Sequence, residues 1–392
     1  MAHPAARAVT RYFGRNPTLA ALVTLGTINH VVLSGSRVTI TLQALREGAS
    51  TATVGVILAL FALLPMLCAV AAGRLSDRIG IRKPMLGASI GLVAGTLLPL
   101  VFTGLPVLFA SACVIGLSFM FGQVAAQNGT GELGPPSERA KNFSLLALGY
   151  SISGFLGPLL AGFTIDHGGF LVAFGLLAAL PLVPIFVLGR SMLNLPGPHP
   201  AHARNVGGGA LELLMHPHLR SVFVINVLLA MAWDLHQIVI PVYGDQIGLS
   251  ASAIGLILAS FGAATFVVRL AMPWIVRRAN EHQVLTLSLI IAGAVYFVFP
   301  FSHSAPTLMT LSFCLGLGLG MSQPMVMSLL HTHAPPGRMG EAAGVRMTLV
   351  QAMAVTVPLT FGALGATVGL TPVFWSVGAC LATGGWLTKR AI

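Results

Sequence analysis

Two charges stand where charge is expensive. Asp234, in MAWDLHQIV, and Arg37, in LSGSRVTIT, each lie inside a long apolar run of a chain that is only 8% charged. A carboxylate in such surroundings can take up and release a proton. A guanidinium there can hold an anion. Of the ten acidic residues in the chain, Asp234 is the one placed clearly inside such a run. The spacing of His30 and Arg37 puts both on one helical face, as does that of Asp234 and Gln237. Asn29, His236 and Gln351 add polar groups to the same runs, and Gln123 and Gln323 occupy matching positions of two others. These residues are candidates to line a cavity for a substrate and protons. For Arg37 and Asp234 the competing reading is a structural ion pair; for Asn29, His30, His236 and Gln351 it is hydrogen bonding between helices. Arg269 falls nearer the end of its run, where a long side chain can reach an interface.

Other signals carry less chemistry. GLGLG, Gly316 to Gly320, has the look of a phosphate loop but follows no strand, so packing is the reading. HTH, His331 to His333, lacks further ligands, and the histidines His199, His202, His216 and His218 read as solvated. Cys68, Cys113, Cys314 and Cys380 lie inside apolar runs without metal-ligand spacing. No nucleophile–base spacing stands out. The expectation is a protein that is not an enzyme, with no metal and no cofactor.

The elements that must position these groups follow from composition. The chain has 392 residues, 55% of them hydrophobic, and a mean hydropathy of +0.88. A soluble domain is about a quarter charged. The bilayer is the natural solvent for this chain. The net charge of +11 sits mostly in short gaps between apolar runs, which indicates membrane topology rather than nucleic acid. The first run is too long for a signal peptide and is read as a retained helix.

A spanning helix takes about 20 apolar residues. Twelve candidates meet that length, at roughly 17–44, 52–73, 84–103, 106–128, 143–165, 169–189, 218–244, 251–274, 283–302, 306–331, 342–366 and 371–388. The long connection, LPGPHPAHARNVGGG, reads as a flexible linker, and LELLMHPHL after it as a short interfacial helix. Lys and Arg crowd one set of gaps, whereas the alternate set carries Arg46 alone, which places both termini and the linker in the cytoplasm.

The halves repeat. Gly48, Ser50, Gly55, Ile57, Leu58, Ala59 and Phe61 recur in register as Gly248, Ser250, Gly255, Ile257, Leu258, Ala259 and Phe261. Gln123 pairs with Gln323, Pro158 with Pro358 and Gly162 with Gly362. The expected fold is an all-α membrane protein of twelve transmembrane helices in two pseudo-symmetric six-helix bundles. Residues 1–189 form one bundle, 190–217 the cytoplasmic linker and 218–392 the other. Parallel repeats of this kind place a substrate site at their interface near mid-membrane.

This architecture, together with GRLSDRIGIRKP between spans 2 and 3, resembles the major facilitator superfamily and its bacterial proton-coupled drug and metabolite exporters. Gly73, Leu75, Asp77, Arg78 and Gly80 match that family's motif A; Ile81 takes the first basic position, and Arg82 and Lys83 follow. SISGFLGPLLAG in span 5 is similar to motif C, seen mainly in exporters. Gly157, Pro158 and Gly162 match, while Ser153 and Ala161 replace glycines. Ser118 stands where motif B places an arginine, so proton coupling through that arginine is not implied. The resemblance implies a cavity lined by spans 1, 4, 7 and 10. It also implies that Asp77 meets the start of span 11, which carries Glu341 and Arg346. Arg346 is the candidate partner of Asp77, and Glu341 of Arg78 or Arg74. Gly73, Asp77, Arg78, Gly80, Arg82, Glu341 and Arg346 are therefore read as a gate latch.

The expected function is proton-coupled export of a small organic compound, amphiphilic or carboxylate-bearing, by alternating access. The partners are that substrate, protons and the lipid bilayer, without nucleic acid. The expected protein is a monomer crossing the inner (plasma) membrane many times. The alternatives are a proton-coupled importer of an organic anion and a non-transporting sensor on the same fold.

Overall fold

The computed structural model describes residues 16–135, 138–197, 210–275, 277–335 and 338–391; within helices, the side chains of residues 69, 70, 73, 77, 140, 210, 211, 217, 273, 339–341 and 385–391 are outside the description. The described residues are helical, without a strand. The helices are α1 (Pro17–Arg46), α2 (Thr51–Ile79), α3 (Arg82–Val101), α4 (Leu105–Glu132), α5 (Arg139–Ala179), α6 (Leu182–Gly189), α7 (Ala210–Met215), α8 (Pro217–Gln246), α9 (Ala251–Ile275), α10 (Glu281–Val298), α11 (Ala305–His333), α12 (Met339–Val368) and α13 (Leu370–Ala391), with a 3-10 turn at Phe299–Phe301.

Ten helical stretches are long and apolar enough to cross a membrane among the described residues. One of them, Lys141–Gly189, holds the fifth and sixth expected spans together. It is broken at Gly169, whose φ of 75° and ψ of 178° are non-helical. A positive φ there suits glycine, which has no Cβ to clash. The twelfth expected span falls on a shorter apolar helix, Leu370–Gly384. Prolines 65, 99, 158, 241, 324 and 358 stay inside helices, as membrane helices tolerate.

The repeat is visible in the backbone. α1 and α8 end alike: Ala49 N–H reaches Ala44 O at 2.9 Å over Gly48, and Leu249 N–H reaches Gly244 O at 2.8 Å over Gly248. Gly48 has φ 81° and Gly248 φ 74°, the left-handed glycine stop of a helix C-terminus. Gly169 and Gly369 repeat in the same way, with φ 75° and 81°.

The chain forms two compact units, one of Met1–Ile40 with Leu67–His202, the other of Thr41–Met66 with Ala203–Ile392. The core of the first includes Leu22, Leu25, Ile81, Met85, Ala125, Ala126 and Leu188. In the second, the Thr51–Met66 part of α2 lies against α12. A Cβ on Gly55 would run into the carbonyl oxygen of Pro358, and one on Gly362 would come within 2.9 Å of the Gly55 Cα. Ala59, Ala62 and Val355 continue that contact. Small residues here let two helix backbones touch.

Candidate functional site

The segment expected to act as a latch is a tight turn in the first unit. Gly80, with φ 77°, separates α2 from α3. Ile81, at the position where the family motif has a basic residue, is 2% exposed and packs into the Leu22–Met85 core. Arg82 is half-buried and turns back onto the protein. Its Nε–H donates to Leu188 O at 2.7 Å and its Nη2–H to Gly189 O at 3.2 Å, the last carbonyls of α6. A cation on unsatisfied C-terminal carbonyls also complements the helix dipole. Arg78 and Arg74 are exposed, and Arg346 is half-buried in the first turns of α12. The side chains of Gly73, Asp77 and Glu341, and with them the expected Asp77 contact, lie outside the described residues.

The motif C residues form the seam between α1 and α5. Gly149, Ser153 and Gly157 recur every fourth residue, so they stack along one face of α5. A Cβ on Gly149 would strike Thr27 Oγ1. One on Gly157 would strike Ser34 Oγ and come within 2.8 Å of Val31 O and 2.9 Å of Gly35 N. Between them Ser34 Oγ–H donates to Ser153 O at 3.0 Å. Pro158 and Gly162 are buried in the same helix.

Ser153, a departure from the glycine pattern, has its own partner. Its hydroxyl donates to Tyr150 O at 2.8 Å, so its oxygen accepts from His30 Nδ1–H. The His30 ring stacks on Tyr150, with centroids 4.7 Å apart, and meets Phe119 edge-on at 5.2 Å. Helices α1, α4 and α5 thus converge on one half-buried imidazole. Asn29, the preceding residue, is buried, and its Nδ2–H donates to the buried Ser89 Oγ of α3 at 3.0 Å. Arg37 and Gln123 are half-buried on α1 and α4.

The second unit holds a parallel nest. His236 is 1% exposed; its Nε2 bonds Ser312 Oγ of α11 at 2.9 Å, and its ring stacks on Phe261 of α9 at 4.5 Å. Asp234, Gln237 and Gln351 are half-buried. Asp234 acts electrostatically on Tyr296, whose hydroxyl donates to Ala232 O at 2.5 Å. Gln323 is exposed on α11 and accepts from Arg269 Nη2–H at 3.4 Å. Sequence reasoning ranked Arg269 low; the pairing with Gln323 has no signal in chain spacing.

The discounted motifs resolve as packing and surface. Gly316 lies against Phe261 and Ala264 of α9, Gly318 against Ile291 of α10 and Gly320 against Val268 and Thr265 of α9. His331 is exposed, and His333 stacks on His218 at 5.5 Å. His199 and His202 lie outside the described residues. Among the described residues no group of three or more His, Cys, Asp or Glu side chains is placed to hold a metal.

Comparison with known proteins fits a fold of this kind. A family model described as Major Facilitator Superfamily matches residues 9–358. The chain is 27% identical over 341 residues to "Tetracycline resistance protein, class C" of Escherichia coli, covering 83% of this chain and 84% of that one. It is 23% identical over 312 residues to "Multidrug resistance protein 2" of Bacillus subtilis (strain 168), covering 76% of each. A crystal structure of a peptide transporter, POT, in complex with sulfate superposes with a TM-score of 0.80 at 16% identity, covering 97% of this chain and 95% of that one.

Proposed function

This chain belongs to the Major Facilitator Superfamily, as a multi-pass membrane protein, and we propose that it exports a small organic compound in exchange for protons. Asp234 carries the reading: an acid in the apolar run of α8, half-buried, where a charge costs about 2.5–3.5 kcal/mol on insertion scales. Such a group persists where it is used. The resistance proteins among its relatives and the small-residue seam of α5 support export over import. Asp234 loads a proton from one side and releases it to the other. Arg37 holds an anionic group of the substrate. Gln123 and His30 in the first unit, and Gln237, Gln323 and Gln351 in the second, offer neutral hydrogen-bonding groups for a substrate. The Lys and Arg distribution supports an inner-membrane protein with both termini in the cytoplasm.

A second reading, proton-coupled import of an organic anion, is favoured by Arg37, a cation well inside the run of α1. Flux direction separates the two. Everted vesicles with an acidified interior accumulate tetracycline if the protein exports it by proton exchange, and the Asp234→Asn variant loses that proton-driven component. Undiminished pH dependence in the variant would defeat the assignment of Asp234. Proton-driven uptake in right-side-out vesicles would favour the importer.

A further inference from the structure

The hydroxyl of Tyr150 lies in the first unit, beneath the His30 ring. Its oxygen is sealed from solvent and has no hydrogen-bond partner among the described residues. Burying a hydroxyl without a partner gives up hydration for nothing, and native interiors avoid it. The rest of Tyr150 is fixed. Its ring stacks on His30 at 4.7 Å and packs on the Leu19, Val23, Leu145 and Leu146 cluster. Its carbonyl accepts the Ser153 hydroxyl, and that same hydroxyl oxygen holds His30 Nδ1–H. Ring, imidazole and serine therefore brace one another around a phenolic O–H that has no partner among the described residues. A braced donor with no acceptor is what a recognition site looks like before its ligand arrives.

We propose that the Tyr150 hydroxyl donates a hydrogen bond to an oxygen acceptor of the transported molecule, a carbonyl, enolate or carboxylate. The oxygen is sealed in this conformation, so the acceptor reaches it in another state of the transport cycle. This assignment rests on the export reading and narrows its substrate class. Tyr150 is a specificity-determining residue. His30, itself met edge-on by Phe119, holds the ring in place, and Ser153 is a positioning residue.

The test is Tyr150→Phe, which deletes the hydroxyl and keeps the ring. Two measurements are made on purified full-length protein: thermal unfolding without ligand, and tetracycline flux in proteoliposomes under a proton gradient. The expected outcome is an unfolding midpoint equal to or above that of the wild type, because an unpaired buried hydroxyl has been removed. KM for tetracycline rises about tenfold, as for one lost hydrogen bond to a buried partner, while the maximal rate stays within about twofold. A midpoint lowered by several degrees with KM unchanged overturns the proposal, because the hydroxyl is then a structural group. If wild-type protein moves no tetracycline, the export reading fails for this probe. Ligand-free unfolding still decides the state of the hydroxyl, and a lowered midpoint in Tyr150→Phe overturns its assignment on its own.

Discussion

Each unit holds one histidine inside an aromatic nest, and the two nests use one recipe with different surroundings. In both, one ring nitrogen bonds a serine on a neighbouring helix and one ring face lies on an aromatic side chain. His30 rests on a tyrosine and is half-buried; His236 rests on a phenylalanine and is 1% exposed. They are not repeat equivalents, because the repeat sets His30 against Ala230 and His236 against Ser36. The same chemistry was therefore built twice, from different helices. The difference in burial and in stacking partner separates a peg from a recognition group. An imidazole enclosed by Phe261, Phe299 and Ser312 ties α8 to α9 and α11. An imidazole over Tyr150 sits beside a polar group that awaits an acceptor.

The strongest way to break this contrast is to push the helices under His30 apart. Gly157→Leu puts a branched side chain against Ser34 and the backbone of Val31 and Gly35, at distances of 2.8 and 2.9 Å to backbone atoms. Overpacking against backbone is expected to cost about 3 kcal/mol or more, read as poor expression or a much lower unfolding midpoint. Next in size is the pair of histidine truncations. His236→Ala leaves a cavity between aromatic rings and strands Ser312, an expected loss of about 2–4 kcal/mol. Any rise in tetracycline KM or fall in flux should be no larger than its stability loss explains. His30→Ala is expected to do the reverse, with a smaller drop in midpoint and a larger rise in KM. Equal profiles for the two variants would make both histidines pegs.

Much of this was legible in the chain. Apolar runs and Lys and Arg spacing gave the helices, because membrane insertion acts on both directly. The repeat located glycines such as Gly48 and Gly248, where a left-handed backbone demands the residue. The departures were less readable. Ile81 in a basic position and Ser153 in a glycine position read only as departures from the motifs, yet one is a core residue and the other holds His30. Tyr150 escaped notice because an aromatic in an apolar run is usually packing, and only its three-dimensional surroundings show that the oxygen lacks a partner. Arg82 read as part of a gate latch, and its hydrogen bonds to carbonyls of α6 far along the chain were not legible. Such groups are defined by partners on other helices, which sequence spacing does not encode.

The smallest and most discriminating effect lies in the two serines. Ser312→Ala removes the Nε2 partner of His236, whose Nδ1 is already buried without one among the described residues. Both ring nitrogens then sit unpaired in an apolar enclosure, with an expected loss of about 2 kcal/mol. Ser153→Ala removes the acceptor of His30 Nδ1–H, but that ring is half-buried and keeps its contacts with Tyr150 and Phe119, so about 1 kcal/mol is expected. Ser153→Ala should also loosen Tyr150 and raise KM for tetracycline, whereas Ser312→Ala should leave KM unchanged. Unfolding midpoints and flux on the two variants, measured side by side, decide the matter. Matched losses in both quantities would mean that burial and stacking partner do not set the nests apart, and the division into peg and recognition group would fall with them.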